Sequence, residues 1–511
     1  MKSDSPPMSQ GTTRRQWLLA GLVITLIHSP ILTKPFIDSD EAVYASVAAL
    51  TNGVGRLYAE GGVDNKFPGI FWIYGAIFRV FGRYSMTAVH AVTVLLVLAT
   101  AFVLGKLATR LGHGSAAWVV ALFYGIATTL YTPKMLAANT ELYTMLPLSL
   151  AALVVLDEPS PRLRFLPMYA AGLLIGAAGS VRQLAALNIV WLCGLPLFWS
   201  RESWPKRIAS SFVAALGFGT VAALVAWFFV TQGTLQDFWF WTVSVVRLRY
   251  FPQGWHTFSP VHHLGVLAVS SVFWVLAGLR SRRWRDFSFA EKALWGWLAV
   301  SVGIVLLPGR FSPHYAIQAF GPLVILAGIE FRRRLDEARA PAERRFVGWC
   351  TGLLAALTVV FFTIAVFYNP FAPSFLSQTS PRYLGVATYV RDTTALTDRI
   401  FVWGAYTPIY VMSDRLPASR FVAFKRGCDR HVENPFGDCW DTGPEMWSLL
   451  AHDLEANSPA LIVDTAAANL GDFGIYPIKS FPLLRELLAT RYSEERTING
   501  VVIYRRLPSP A

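Results

Sequence analysis

Three acidic side chains, Asp38, Asp40 and Glu41, crowd the end of an apolar run near the start of the chain. A carboxylate at an apolar boundary is costly unless water or a partner stands beside it, so acidic residues kept there point to chemistry. The chemistry open to them is to accept the proton of an attacking hydroxyl. A plainer role competes, because Asp38 and Ser39 also suit the cap of a following helix. A later carboxylate, Glu141, opens another apolar run in Ala138-Asn139-Thr140-Glu141-Leu142-Tyr143, where it fits either a first helical turn or a reactive site. Lys66, Lys134, Arg182, Arg247, Arg249 and Arg310 are scattered among apolar runs, and His314-Tyr315 follow Pro308-Gly-Arg-Phe-Ser-Pro313. Each cation alone fits a side chain snorkelling to an interface. As a set they predict an anionic substrate, since Arg and Lys bind phosphate strongly.

The elements that must position these residues are membrane spans. Hydrophobic residues make up 54% of the 511-residue chain and charged residues 15%, with 18 tryptophans. The mean hydropathy is +0.43. A soluble domain carries about 25% charged residues. Apolar runs near 17–33, 85–104, 115–132, 142–156, 208–230, 263–279, 291–307, 315–330 and 346–368 approach the length a bilayer requires. The stretch 165–199 holds two short apolar halves around Gly-Ser-Val-Arg-Gln at 179–183 and reads as two spans turning at Arg182. The expected fold is a polytopic α-helical membrane protein of about eleven transmembrane helices. The first run follows Arg14-Arg15 without a small-residue cleavage site and reads as a retained span.

The net charge of +13 does not describe a nucleic-acid face, because the basic residues sit in short loops between spans. Loops on the N-terminal side hold 21 Lys and Arg residues and the opposite loops 10, which marks the N-terminal side as cytoplasmic. The resulting organisation is a cytoplasmic terminus at 1–16, a membrane domain at 17–368 and an extracytoplasmic domain at 369–511. The first external segment, 34–84, suits amphipathic helices lying in the interface. On this topology Asp40, Glu141 and the cations share one membrane face.

The tail has ordinary polarity, with 14 basic and 15 acidic residues over 373–511. Apolar runs at Arg399–Trp403, Ala460–Asp464 and Gly500–Tyr504 read as buried strands, and 381–395, 444–456 and 481–491 as amphipathic helices between them. An α/β layered domain follows. Cys428 and Cys439 flank a polar loop without the spacing of a metal site, and outside the cytoplasm they are expected to pair. Cys193 and Cys350 lie in apolar runs as packing residues.

Taken in order, Asp38-Ser-Asp40-Glu41-Ala-Val-Tyr44, Asp64-Asn65-Lys66-Phe67-Pro68, Asn139-Thr-Glu141-Leu-Tyr143, Gly309-Arg-Phe-Ser-Pro-His314-Tyr315, Val402-Trp-Gly404 and Ile409-Tyr410 make the chain resemble the GT-C glycosyltransferases. The branch is that of the protein O-mannosyltransferases and bacterial lipid A aminoarabinose transferases. The resemblance implies transfer of a sugar from a polyprenyl-phosphate carrier, on the outer face of the inner (plasma) membrane, to a hydroxyl of a lipid, glycan or protein acceptor. It gives Asp40 the first-loop acidic position, as base or as the seat of a divalent metal ion if one takes part, with Glu41 in support. Glu141 takes the second acidic position and Lys66 the basic position near the donor phosphate. Arg182, Arg247, Arg249, Arg310, His314 and Tyr315 then serve substrate binding. Phe67 replaces a usual proline, and Asn65 replaces an acidic residue of some relatives.

The rival class is a transporter or flippase of an anionic lipid-linked sugar, which also needs charges at the membrane boundary. The spans show no inverted-repeat symmetry of the transporter kind. No Gly-rich nucleotide loop occurs, in keeping with a lipid-linked donor.

Overall fold

The computed structural model describes residues 11–53, 55–156, 164–198, 202–247, 260–309, 312–338, 340–368, 382–404, 406–424 and 444–508. The chain divides into two compact units, each assembled from non-contiguous segments. One comprises Met1–Pro35, His90–Ala226 and Gly254–Phe367; the other comprises Phe36–Val89, Trp227–Gln253 and Tyr368–Ala511.

The first unit is helical. Among the described residues six helices of the chain are long and apolar enough to cross a membrane: Arg14–Thr33, Met86–Arg110, Trp204–Gln232, Phe289–Leu306, Pro313–Asp336 and Pro341–Phe367. Shorter apolar helices fill the other expected positions: Gly114–Ala127, Thr140–Val155, Phe165–Val181, Gln183–Phe198 and Ser271–Ser281. The chain is a multi-pass membrane protein. Pro313–Asp336 is its most enclosed span, with 94% of its apolar window buried, whereas Pro341–Phe367 buries 17%. A helix in the second condition presents most of its apolar surface outward, as a lipid-facing helix does.

Two details of this unit bear on the site. Phe165–Val181 packs backbone-to-backbone on Trp204–Gln232, because a Cβ at Gly172 would collide with the carbonyl oxygen of Ala214. A Cβ at Gly217 would likewise collide with the Tyr169 carbonyl oxygen. Small residues permit this close approach where apolar side chains gain nothing from leaving lipid. The chain then breaks at Arg182, whose backbone is extended (φ −144°, ψ 123°), before the next helical stretch. The turn expected at Arg182 is therefore present.

The second unit holds the sheet. Strands β1 (Arg399–Trp403), β2 (Leu416–Pro417), β3 (Leu461–Asp464), β4 (Tyr492–Ile498) and β5 (Val501–Arg506) run in the order β2-β1-β3-β5-β4. β1 pairs parallel with β2 and β3, and β5 pairs antiparallel with β3 and β4. Helices Arg382–Thr393, Pro444–Asn457 and Pro482–Arg491 match the expected amphipathic segments. β2, β4 and the short helix Pro408–Ser413 are additions. β4 carries no apolar alternation, since Ser493 to Thr497 are all exposed. It forms by pairing with β5 through Asn499-Gly500, both at positive φ (52° and 84°), the geometry of a tight hairpin turn.

The segment Phe36–Val89 belongs to this same unit. Its helices are Ser39–Gly53 and Gly69–Phe81. The Val63 N–H donates to the Arg420 carbonyl at 3.0 Å, and Arg83 Nε donates to Asp414 Oδ1 at 2.6 Å. Val63 also joins Phe401, Trp403 and Ile462 in one buried apolar cluster.

Candidate functional site

The sequence-predicted residues form two clusters, one in each unit. In the first unit Glu141, Arg182, His314 and Tyr315 converge. Glu141 stands in the first turn of Thr140–Val155, Arg182 at the break after Phe165–Val181, and His314-Tyr315 in the 3-10 turn Pro313–Ala316 that opens the most enclosed helix. Glu141 Oε1 pairs with the Arg182 guanidinium, and His314 Nε2 lies 3.4 Å from that same oxygen. The Thr140 hydroxyl donates to the other carboxylate oxygen at 2.9 Å. The guanidinium carbon sits 4.4 Å from the centroid of the Tyr315 ring, which offers it a cation–π face. Glu141, Arg182 and His314 are 2%, 6% and 4% exposed. A charge so enclosed must be paired, and here a cation, a carboxylate and an imidazole balance one another.

Support lies one turn deeper. The Thr144 hydroxyl donates to the Glu141 carbonyl at 2.8 Å, and the Gln318 amide donates to Thr144 Oγ1 at 2.6 Å. Thr144 lies three residues beyond Glu141 and Gln318 four beyond His314, so both follow their partners on one helix face. That spacing was readable in the sequence, although neither residue was singled out.

In the second unit Asp38, Asp40 and Glu41 stand at the start of Ser39–Gly53, Asp64 adds its charge near Tyr44, and Lys66 is bonded to Asp64. Glu41 is buried, and its carboxylate accepts hydrogen bonds from the backbone N–H groups of Ile37 at 2.6 Å and Asp38 at 3.2 Å. This is the reach-back half of a capping box. Asp40, one position earlier, is half-buried. Tyr44, one turn along the same face, is buried and packs edge-on against Phe71 and Tyr74, with centroids 6.0 and 5.9 Å away. Burial, then the negative charge of Asp40, Asp64 and Asp38, pushes its hydroxyl well above the ordinary tyrosine range. Tyr44 therefore stays a protonated hydrogen-bond donor within a carboxylate field. Its spacing four residues after Asp40 was the available signal.

Lys66 is held by its own backbone. Its N–H donates to Asp64 Oδ1 at 2.8 Å, its carbonyl accepts from the Tyr58 hydroxyl at 2.6 Å, and its ammonium donates to Asn65 Oδ1 at 3.3 Å. Tyr58 adopts a positive φ of 66°, a strained setting for an aromatic residue, and strain of this kind is retained only where the surroundings over-determine it. Phe67, at the position of the usual proline, lays its ring 5.4 Å from that of Phe238. An aromatic contact thus anchors the loop that a proline would have stiffened.

Arg247 is exposed at the end of a helical stretch. Arg249, Arg310, Cys428 and Cys439 lie outside the described residues. Among the described residues, no group of three or more His, Cys, Asp or Glu side chains comes together as a metal centre requires.

No protein-family model matches the chain. No curated protein matches it in sequence. Solved structures do match. ArnT from Cupriavidus metallidurans bound to undecaprenyl phosphate superimposes with a TM-score of 0.64 at 13% identity, covering 97% of this chain and 99% of that one. AglB, the archaeal oligosaccharyltransferase from Archaeoglobus fulgidus, in complex with an inhibitory peptide and a dolichol-phosphate, gives 0.56 at 11% identity, covering 96% of this chain and 74% of that one. The mycobacterial arabinofuranosyltransferase AftD gives 0.53 at 14% identity, covering 97% and 42%. Likeness along nearly the whole chain, with a tail sheet and, among the described residues, six helices long and apolar enough to cross a membrane, identifies the fold as that of the GT-C glycosyltransferases.

Proposed function

We propose that this protein transfers a sugar from a polyprenyl-phosphate donor to a hydroxyl of a lipid, glycan or protein acceptor at the outer face of the plasma membrane. The observation that carries the reading is Arg182. It is a buried guanidinium seated on an aromatic ring, in a chain whose fold neighbour over 97% of its length was solved bound to undecaprenyl phosphate. A buried Arg of this kind suits recognition of a phosphate that arrives from lipid.

In this reading Asp40 takes the proton of the acceptor hydroxyl as its oxygen attacks the anomeric carbon. The bond from that carbon to the phosphate oxygen breaks, and the electron pair leaves with the polyprenyl phosphate. In the unit that carries Asp40, Lys66 is the cation for the departing charge and Glu41 fixes the turn that presents Asp40; in the other unit Tyr315 seats Arg182 for phosphate recognition. Tyr44 supplies an O–H donor beside the carboxylate. The prenyl chain contributes about 0.8 kcal/mol of membrane burial per CH₂. Eleven spans, a cytoplasmic N-terminus and an external tail complete the reading, with the transferred sugar a hexose or pentose bound for a cell-envelope glycan.

The test is reconstitution with polyprenyl-phosphate sugars. Wild type is expected to consume one such donor and Asp40→Asn to lose transfer while remaining folded. A wild type that consumes none of them while flipping lipid would sink the reading in favour of a transporter. Cysteines introduced into the tail are expected to label from outside intact cells, and their protection would break the topology.

A further inference from the structure

A transferase of this kind must end its reaction as well as start it. The donor is a phosphodiester with one negative charge. Once the sugar–oxygen bond breaks, the lipid keeps that electron pair as a phosphomonoester, whose second ionisation falls near pH 6. The product is thus the more anionic ligand for the guanidinium that held the donor.

Resting on the transferase reading, we propose that Glu141 is the displacing counter-ion of this anion seat: it competes with lipid phosphate for Arg182 and thereby drives the spent carrier off. The geometry assigns it that role. Its Oε1 pairs with Arg182 and faces His314 Nε2 at 3.4 Å, so it occupies the contacts an incoming phosphate oxygen would take. Arg182 is also seated on Tyr315, 4.4 Å from the ring centroid, a contact independent of Glu141. The guanidinium therefore keeps a fixed position when its anion is exchanged. Thr140 donates to Glu141 Oε2 at 2.9 Å, giving the carboxylate a second hydrogen bond beside its pairing with Arg182. Both carboxylate and guanidinium are enclosed, and separating a buried pair is penalised unless another anion takes the vacated contacts. Because Glu141 is tethered, it acts at a high effective concentration that no free anion matches. Glu141 is by this account a positioning residue acting through Arg182, and the acceptor's proton goes elsewhere.

The role predicts an effect opposite to that of damage. With undecaprenyl phosphate as the probe in nanodiscs, Glu141→Gln should bind it roughly 5- to 100-fold more tightly than wild type, the range of a typical coupling between two competing ligands. Glu141→Asp, with its carboxylate drawn back from Arg182, should change in the same direction by less. Both variants should show a lower kcat, a lower donor KM and stronger inhibition by undecaprenyl phosphate. Thermal melting identifies a variant that fails to fold, in which case the other decides. Unchanged or weaker probe binding in the folded variants overturns the proposal, including the case in which kcat falls because Glu141 is itself the base. A wild type that binds no polyprenyl phosphate overturns the transferase reading along with it.

Discussion

The carboxylate of Glu41 accepts from the backbone N–H of Ile37 at 2.6 Å, while its neighbour Asp40 stands half-buried on the same turn. The two acidic residues are therefore separable by mutation. Glu41→Ala should cost about 1 kcal/mol of stability, the usual worth of such a cap, and reduce transfer in proportion to lost folded protein. Asp40→Asn should leave the melting temperature near that of wild type and remove transfer. Thermal unfolding in detergent alongside donor consumption separates these outcomes.

Arg182 and Tyr315 make a second separable pair. Tyr315→Phe keeps the ring under the guanidinium and should bind undecaprenyl phosphate as wild type does. Tyr315→Ala should weaken binding by about 2- to 30-fold, corresponding to roughly 0.5–2 kcal/mol for a cation–π contact. Arg182→Lys keeps the charge but loses the planar fork, and should be impaired as well. Titration with labelled lipid phosphate reads all three.

Helix packing behind Arg182 can be tested without touching the charges. Gly172→Val sets side-chain atoms against the Ala214 carbonyl, where even a Cβ would collide. The helix pair must move apart, at a cost of about 1–3 kcal/mol. Yield of folded protein and lipid-phosphate affinity should fall together.

The tail contains a pH-sensitive group. Burial raises the Asp464 carboxyl to about 6, against smaller opposing effects from the Ala466 and Ala467 N–H groups and the Lys479 charge. An acid raised on folding favours the folded state when protonated. Its contribution is full below the unfolded value near 4 and is lost as pH rises through about 6. Asp464→Asn should therefore stabilise the protein relative to wild type at pH 7.5, and that difference should vanish at pH 4.5. Melting curves of the pair across this range give the answer.

The apolar runs were legible because a bilayer sets the length of each helix, and the polar Gly-Ser-Val-Arg-Gln stretch marked the break at Arg182. Strands β1, β3 and β5 were legible as buried apolar runs. β4 was not, because an exposed edge strand carries no apolar period, although Asn499-Gly500 could have marked its hairpin. At the site, Glu141, Arg182, His314 and Tyr315 were recognised singly as charges or polar groups at boundaries. Their convergence was hidden because pairing between Glu141 and Arg182 depends on how three helices pack, and residue spacing does not encode that. The membership of 36–89 in the unit that holds the tail was hidden for the same reason. The Val63–Arg420 hydrogen bond joins two backbones and leaves no side-chain signature.

That membership has a temporal side. The segment carrying Asp40 is made long before its companions Asp414, Arg420 and Trp403, since Arg83 and Asp414 are 331 residues apart. Domains fold as units when their pieces are present. The unit that holds Asp40 thus matures only after residues beyond 400 have been made, and a chain cut short before them would carry the acidic loop without the rest of its unit.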